Sequence, residues 1–190
     1  PKDEPYGGTY PFPIAGFGTI PMPHVWKGTG AGSPVTIRFH PATFRQYNQN
    51  YGYIKPGSGP GEVLFHEMVH ALQQMDGTLS QVAVNDPHLD DYGEFCAIVA
   101  ANIYRSERGF TSLRADHSGF NKLGRHSAGQ DLTDPATFAS VYATPLEKWF
   151  GLQQDFCLEL ASSTARFNPL KFAATALGHA VRTPMALPAR

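Results

Sequence analysis

The chain has 190 residues, 15 Lys+Arg against 16 Asp+Glu and a formal net charge of -1, which is the size of one domain. That balance excludes a strongly basic nucleic-acid binder and an acidic disordered tail, and no apolar run is long enough to span a membrane. Hydrophobic residues at 42% and charged residues at 16% suit a chain that buries a core of its own.

The chain opens Pro1-Lys2-Asp3, with neither Met nor the apolar stretch of a signal peptide, and reads as a piece of a longer polypeptide. Residues 1–61 are dense in Pro and Gly and interleaved with Tyr6, Tyr10, Phe12, Phe17 and Trp26. Pro at this density works against helix and central strand. The aromatics predict an extended arm that wraps the body and pins it with buried rings. One strand stands out at residues 34–40, with Val35, Ile37 and Phe39 facing one way and Thr36, Arg38 and His40 the other. Its edge is one place where an extended peptide could add as a further strand, and core packing is the competing role. A loop follows over residues 51–61.

Helical spacing then sets in. Leu64, Met68, Ala71, Leu72 and Met75 predict a helix over 62–75, stopped by Asp76-Gly77. The stripe Leu64, Met68, Leu72 and Met75 is expected to be its buried side. Residues 78–90 read as polar loop. A second helix is expected over 91–107, with Phe95, Ile98, Val99, Asn102 and Ile103 inward and Gly109 as its stop. Residues 111–134 read as irregular. A third helix is expected over 145–164, with Leu146, Trp149, Phe150, Phe156, Cys157 and Leu160 inward. A fourth covers 169–179, and 181–190 is a frayed tail. Cys96 and Cys157 sit in apolar runs and read as buried small hydrophobes, with a disulfide between them as the alternative. The sum is an α+β fold, mainly helical with a small β-sheet or hairpin. It forms a single domain: residues 1–61 as arm and edge strand, residues 62–190 as a helical body.

The informative segment is His66-Glu67-Met68-Val69-His70 on the first helix. Residues four apart on a helix lie one turn apart on nearly the same face, so two imidazoles can converge on one ion. Zn²⁺ suits that pair, and Glu67 stands where it can take a proton from a water in an open coordination position. With 8 His in the chain, chance alone gives this pattern roughly once in a hundred such sequences. A third ligand must come from elsewhere. Glu94, at the start of the second helix, leads, because Ala97 and Ala101 on its side permit close approach of the two helices. Asp76, Asp90, Asp91, His88 and His117 stay open as rivals. His117 and Tyr92 are the candidates to donate a hydrogen bond to a developing oxyanion.

These residues resemble the gluzincin arrangement of zinc metallopeptidases, with His66, His70 and Glu94 as ligands and Glu67 as general base. The resemblance departs at Ile98, where thermolysin-like enzymes carry an acid that orients a ligand histidine, so another carboxylate or a carbonyl is expected to orient His66 or His70. The block 62–120 as a whole, including Glu94-Phe95-Cys96-Ala97 and Leu113-Arg114-Ala115-Asp116-His117, is similar to the metallopeptidase domain fused to VgrG-type spike proteins of type VI secretion systems. That resemblance implies a zincin-like fold with one Zn²⁺ per chain. It implies a secreted antibacterial or host-directed toxin domain that hydrolyses peptide bonds of a protein in a target cell, with the periplasm of a target bacterium as the expected place of action. The implied partners are the rest of a spike protein and an immunity protein. A zinc amidase acting on cell-wall peptides, and a binding module with a non-catalytic metal site, are the competing readings.

Overall fold

A computed structural model of the chain describes residues 8–10, 30–42, 55–84, 89–117, 119–126 and 128–181. The expected aromatic arm, His88 and most of the tail lie outside the described residues. The fold is α+β and mainly helical. Strand β1 (Gly8–Tyr10) pairs antiparallel with β2 (Thr36–Arg38), Thr9 opposite Ile37. The helices that follow among the described residues are α1 (Pro60–Met75), α2 (Tyr92–Glu107), α3 (Pro135–Val141), α4 (Ala143–Leu152), α5 (Gln154–Ser162) and α6 (Pro169–Ala176). Among the described residues no helix is long and apolar enough to cross a membrane.

Two compact units divide the chain. The first comprises Pro1–Ala101 and Arg114–Asn121. In it, β2 keeps the expected alternation, with Val35, Ile37 and Phe39 partly covered and Thr36, Arg38 and His40 exposed. Helix α1 begins where Pro60 follows Gly59, and the Glu62 carboxylate accepts the Gly59 N–H at 3.1 Å, reaching back as an N3 acid does in a capping box. It ends at Gly77, whose φ of +67° turns the chain so that Thr78 and Leu79 both donate to the Gln73 carbonyl. A Cβ on Gly77 would sit 2.7 Å from the Gly30 carbonyl carbon, so this turn has room only for glycine.

The burial of α1 corrects the sequence reading. Met68 and Met75 are each 51% exposed. The buried side is Glu62, Val63, His66, Glu67, Val69, His70, Ala71 and Gln73. The helix turns its polar histidine face inward and leaves the methionines in water. In helix α2 the expected inward residues Phe95, Ile98, Val99, Asn102 and Ile103 are buried, and over residues 95–101 burial extends all round the helix.

The second unit comprises Asn102–Leu113 and Lys122–Arg190. Its core is mainly apolar, with Leu146, Trp149, Cys157, Ala161, Leu170 and Ala174 fully buried, and it also takes in Asn102, Arg105 and Asn168. Cys157 and Cys96 are both free thiols, and burial pushes the Cys157 thiol up. The helix expected over 145–164 is two helices. Gln153 breaks it, with φ -141° and ψ 54°, and its side-chain oxygen accepts the Trp149 indole N–H at 3.0 Å. Helix α3 was not expected, although Asp134-Pro135 is a start signal: the Asp134 carboxylate accepts the Thr137 N–H at 2.7 Å. The last helix is shorter than expected, because Gly178 at φ +75° ends it.

A buried histidine and glutamate cluster

All the candidate residues that the structure describes, Asp76 aside, lie in or beside one cluster of the first unit. The i, i+4 spacing on α1 sets His66 Nε2 3.1 Å from His70 Nε2. Glu94, on the first turn of α2, puts Oε2 3.2 Å from His66 Nε2 and Oε1 3.2 Å from His70 Nε2. The cluster is covered: His66 is 2% and His70 7% exposed.

Asp91 explains how Glu94 comes to be there. Its Oδ1 accepts the Glu94 N–H at 3.0 Å, as an N-cap residue does three positions before. The pattern Asp91-Tyr92-Gly93-Glu94 is a capping signal that the sequence displays openly. Asp91 thereby serves the helix start, and Asp76 sits at the C-terminal cap of α1. Tyr92 is buried with its ring stacked on Phe95 at 6.5 Å.

His117 joins the cluster from the loop 114–121. Its Nε2 lies 3.6 Å from Glu94 Oε1, and its Nδ1–H donates to Asp90 Oδ2 at 3.0 Å. His66, Glu94 and His117 each bring one ligand-type atom within 4.8 Å of the others. Asp90 thus orients His117, a role that residue spacing does not reveal. Ile98 is buried. Among the described residues His66 Nδ1 has no hydrogen-bond partner, so the carboxylate or carbonyl expected to orient this histidine is not found for it.

The electrostatics follow from burial and neighbours. Burial pushes His66 down to about 3, against the pull of Glu94. For His70 burial also opposes the charge, but the Glu94 carboxylate, with Glu67 and Asp91, outweighs it and raises the pKa. Burial would raise Glu94; the two imidazoles outweigh that and hold its carboxyl well below the usual range. Arg114, 2% exposed, is pushed down to about 10 by burial, while Glu94, Asp116, Glu67 and Glu62 favour its charge. Sequence reasoning gave Arg114 no role.

The donor set is the imidazole nitrogens of His66 and His70 and the ionised Glu94 carboxylate, with the His117 imidazole beside it. Tetrahedral zinc with bonds of ~2.0–2.1 Å has ligand atoms about 3.3–3.4 Å apart; here the two imidazole nitrogens are 3.1 Å apart, and each lies 3.2 Å from a different oxygen of the Glu94 carboxylate. Glu94 Oε2, although 3.2 Å from His66 Nε2, has no hydrogen bond of acceptable direction. Atoms that are near one another yet not aimed at one another fit an arrangement around a common point. The residues present therefore fit a zinc ion.

A family model, Peptidase_M91, described as effector protein, matches residues 14–133, well over half of the chain. His66, Glu67, His70, Asp90, Glu94, Arg114 and His117 all fall inside that range. No curated protein and no solved structure matches the chain.

Proposed function

This chain belongs to the Peptidase_M91 effector family, and on that premise we propose that it is a zinc-dependent endopeptidase, with His66, His70 and Glu94 as ligands and Glu67 as general base. The observation that carries this reading is the convergence of the three ligand-type side chains in a buried site, the two imidazole nitrogens 3.1 Å apart and each 3.2 Å from a Glu94 oxygen. Bound zinc supplies Lewis acidity toward a carbonyl and lowers the pKa of a coordinated water to about 7.

The chain's own residues do the rest. Glu67, 7% exposed and adjacent in sequence to His66, accepts a proton from the attacking water and passes it to the leaving nitrogen. Burial of His66 and His70 keeps bulk water from competing for the ligand positions. His117, whose side chain is 44% exposed, gives its Nδ1–H to Asp90, and in the imidazolium form its Nε2–H can donate to the oxygen that becomes negative. Asp90 holds the ring by Nδ1. Delivery into a target cell as part of a type VI secretion spike, with action in the periplasm, is proposed on the resemblance of residues 62–120.

One experiment tests the catalytic reading. The purified chain should carry one zinc and generate new termini in a protein substrate, read by mass spectrometry. Glu67→Gln should keep the zinc and lose the new termini. Full activity in that variant, or new termini in peptidoglycan alone, overturns the endopeptidase reading. Toxicity confined to periplasmic expression supports the delivery reading, and equal harmlessness in both compartments counts against it.

A further inference from the structure

The loop that carries His117 is built around a buried guanidinium. Arg114 Nε donates to the Asp116 carbonyl at 2.6 Å, and Nη2 donates to the His117 carbonyl. The guanidinium carbon lies 4.4 Å from the centre of the Phe120 ring. Phe120 has φ +49°, the one non-glycine residue with positive φ among those described, and that turn brings its ring over the cation. The aliphatic stem needs space too: a Cβ on Gly57, itself at φ +80°, would sit 2.6 Å from Arg114 Cδ. Further bonds close the loop. Ala115 donates to the Asn121 carbonyl at 2.8 Å, Asp116 Oδ1 accepts the Asn121 N–H at 3.2 Å, and Lys55 Nζ donates to the Gly119 carbonyl at 3.1 Å.

A charge buried this deeply is a costly way to shape a loop. What sets this one apart is where it stands. Its neighbours include Glu94 and Glu67, and one of the carbonyls it grips belongs to His117, whose ring faces Glu94. Asp90 holds His117 by the ring and Arg114 holds it by the backbone. Two carbonyl contacts and a ring face call for a planar fork, which Lys lacks.

We propose that Arg114 is a positioning residue of the site: by gripping the carbonyls of Asp116 and His117, it fixes where the His117 ring stands beside Glu94. The proposal rests on the peptidase reading for its activity readout. It predicts that a Lys at this position misplaces the ring although charge is kept, and a misplacement of about 1 Å costs on the order of 100-fold in rate.

The test uses the zinc-loaded chain with Arg114→Lys, His117→Ala and the double variant. Arg114→Lys should lower kcat by about 10–100-fold at unchanged zinc content. In the His117→Ala background the same change should cost less than about two-fold, because residues acting as a unit are not additive. A readout independent of activity is the long-range ¹H–¹⁵N spectrum of the imidazoles. The His117 signals, held by Asp90 in the parent, should move toward averaged values in Arg114→Lys while those of His126 and His179 stay put. Should Arg114→Lys not fold, Phe120→Leu removes the ring beneath the guanidinium and should move the same signals. Unmoved His117 signals, or equal activity losses in both backgrounds, overturn the proposal. If the parent chain cleaves no peptide, the peptidase reading fails, and the imidazole spectra still decide the role of Arg114.

Discussion

The two units of this molecule both have apolar cores, Phe95, Ile98 and Val99 in the first among them, but differ in the charged side chains they bury: among the described residues of the second, Arg105 is the one taken out of water. The second fills its interior with Leu146, Trp149, Cys157 and Leu170, and its buried Gln153 is hydrogen-bonded to the Trp149 indole. The first takes His66, Glu67, His70, Glu62 and Arg114 out of water and lets Met68 and Met75 stay in it. Apolar burial drives folding at roughly 25 cal/mol per Å², whereas burying ionisable groups costs free energy unless they find partners. The second unit is therefore built for stability. The first accepts a stability cost to hold donors and carboxylates in one place.

Glu67→Gln separates the units most sharply. It should lower peptidase activity by about 10²–10⁴-fold while zinc content and melting temperature stay at parent values. A matching loss of stability would mean that Glu67 serves packing instead. Trp149→Ala works in reverse: its indole is fully buried, and its loss should cost about 3–5 kcal/mol in denaturant unfolding with no change in zinc affinity per folded molecule.

Zinc itself sharpens the contrast. At 100 times its Kd a ligand stabilises what binds it by about 2.7 kcal/mol. Hydrogen exchange should therefore slow in α1 on zinc addition, with α5 and α6 unchanged. Uniform slowing throughout would break the distinction between the units.

The metal-free chain should respond to pH through the cluster. His66 falls from 6.5 to about 3 on folding and Glu94 is lowered from 4.5, so below pH 6.5 the unfolded chain binds protons that the folded one refuses. Stability drops as pH falls. His70 is raised from 6.5; its contribution is complete below 6.5 and is lost as pH rises through its folded value. The melting temperature of the metal-free chain should peak near pH 6.5, and His66→Asn should flatten the acid limb. The smallest effect belongs to Met68→Gln, expected within about ±0.5 kcal/mol by denaturant titration because the side chain lies in solvent.

Local order in the chain made much of this legible. The four-residue spacing of His66 and His70 fixes them on one face of α1 whatever the rest of the fold does, because helix geometry is a property of the segment. Glu94 stood out because a carboxylate opens a helix of small residues. The stops of α1 and α2 were written in Gly77 and Gly109, whereas Pro60, read as loop, is the first residue of α1. The wrong face of α1 has a physical cause: apolar periodicity assumes that hydrophobic residues bury first, and a site that must exclude water reverses that order. The single helix expected over 145–164 failed because Gln153 looks helix-compatible until Trp149 claims its side chain.

What the sequence determined alone was the short-range part: two imidazoles in step, a carboxylate between them in sequence, and the caps of the helices that bear the cluster. Tertiary structure decided which face of α1 went inward, that Asp90 across 27 residues would hold His117, and that Arg114 would be the centre of a loop. The reason is that spacing along a helix is set by hydrogen bonds four residues long. A hydrogen bond between two loops depends on where the whole chain has carried them.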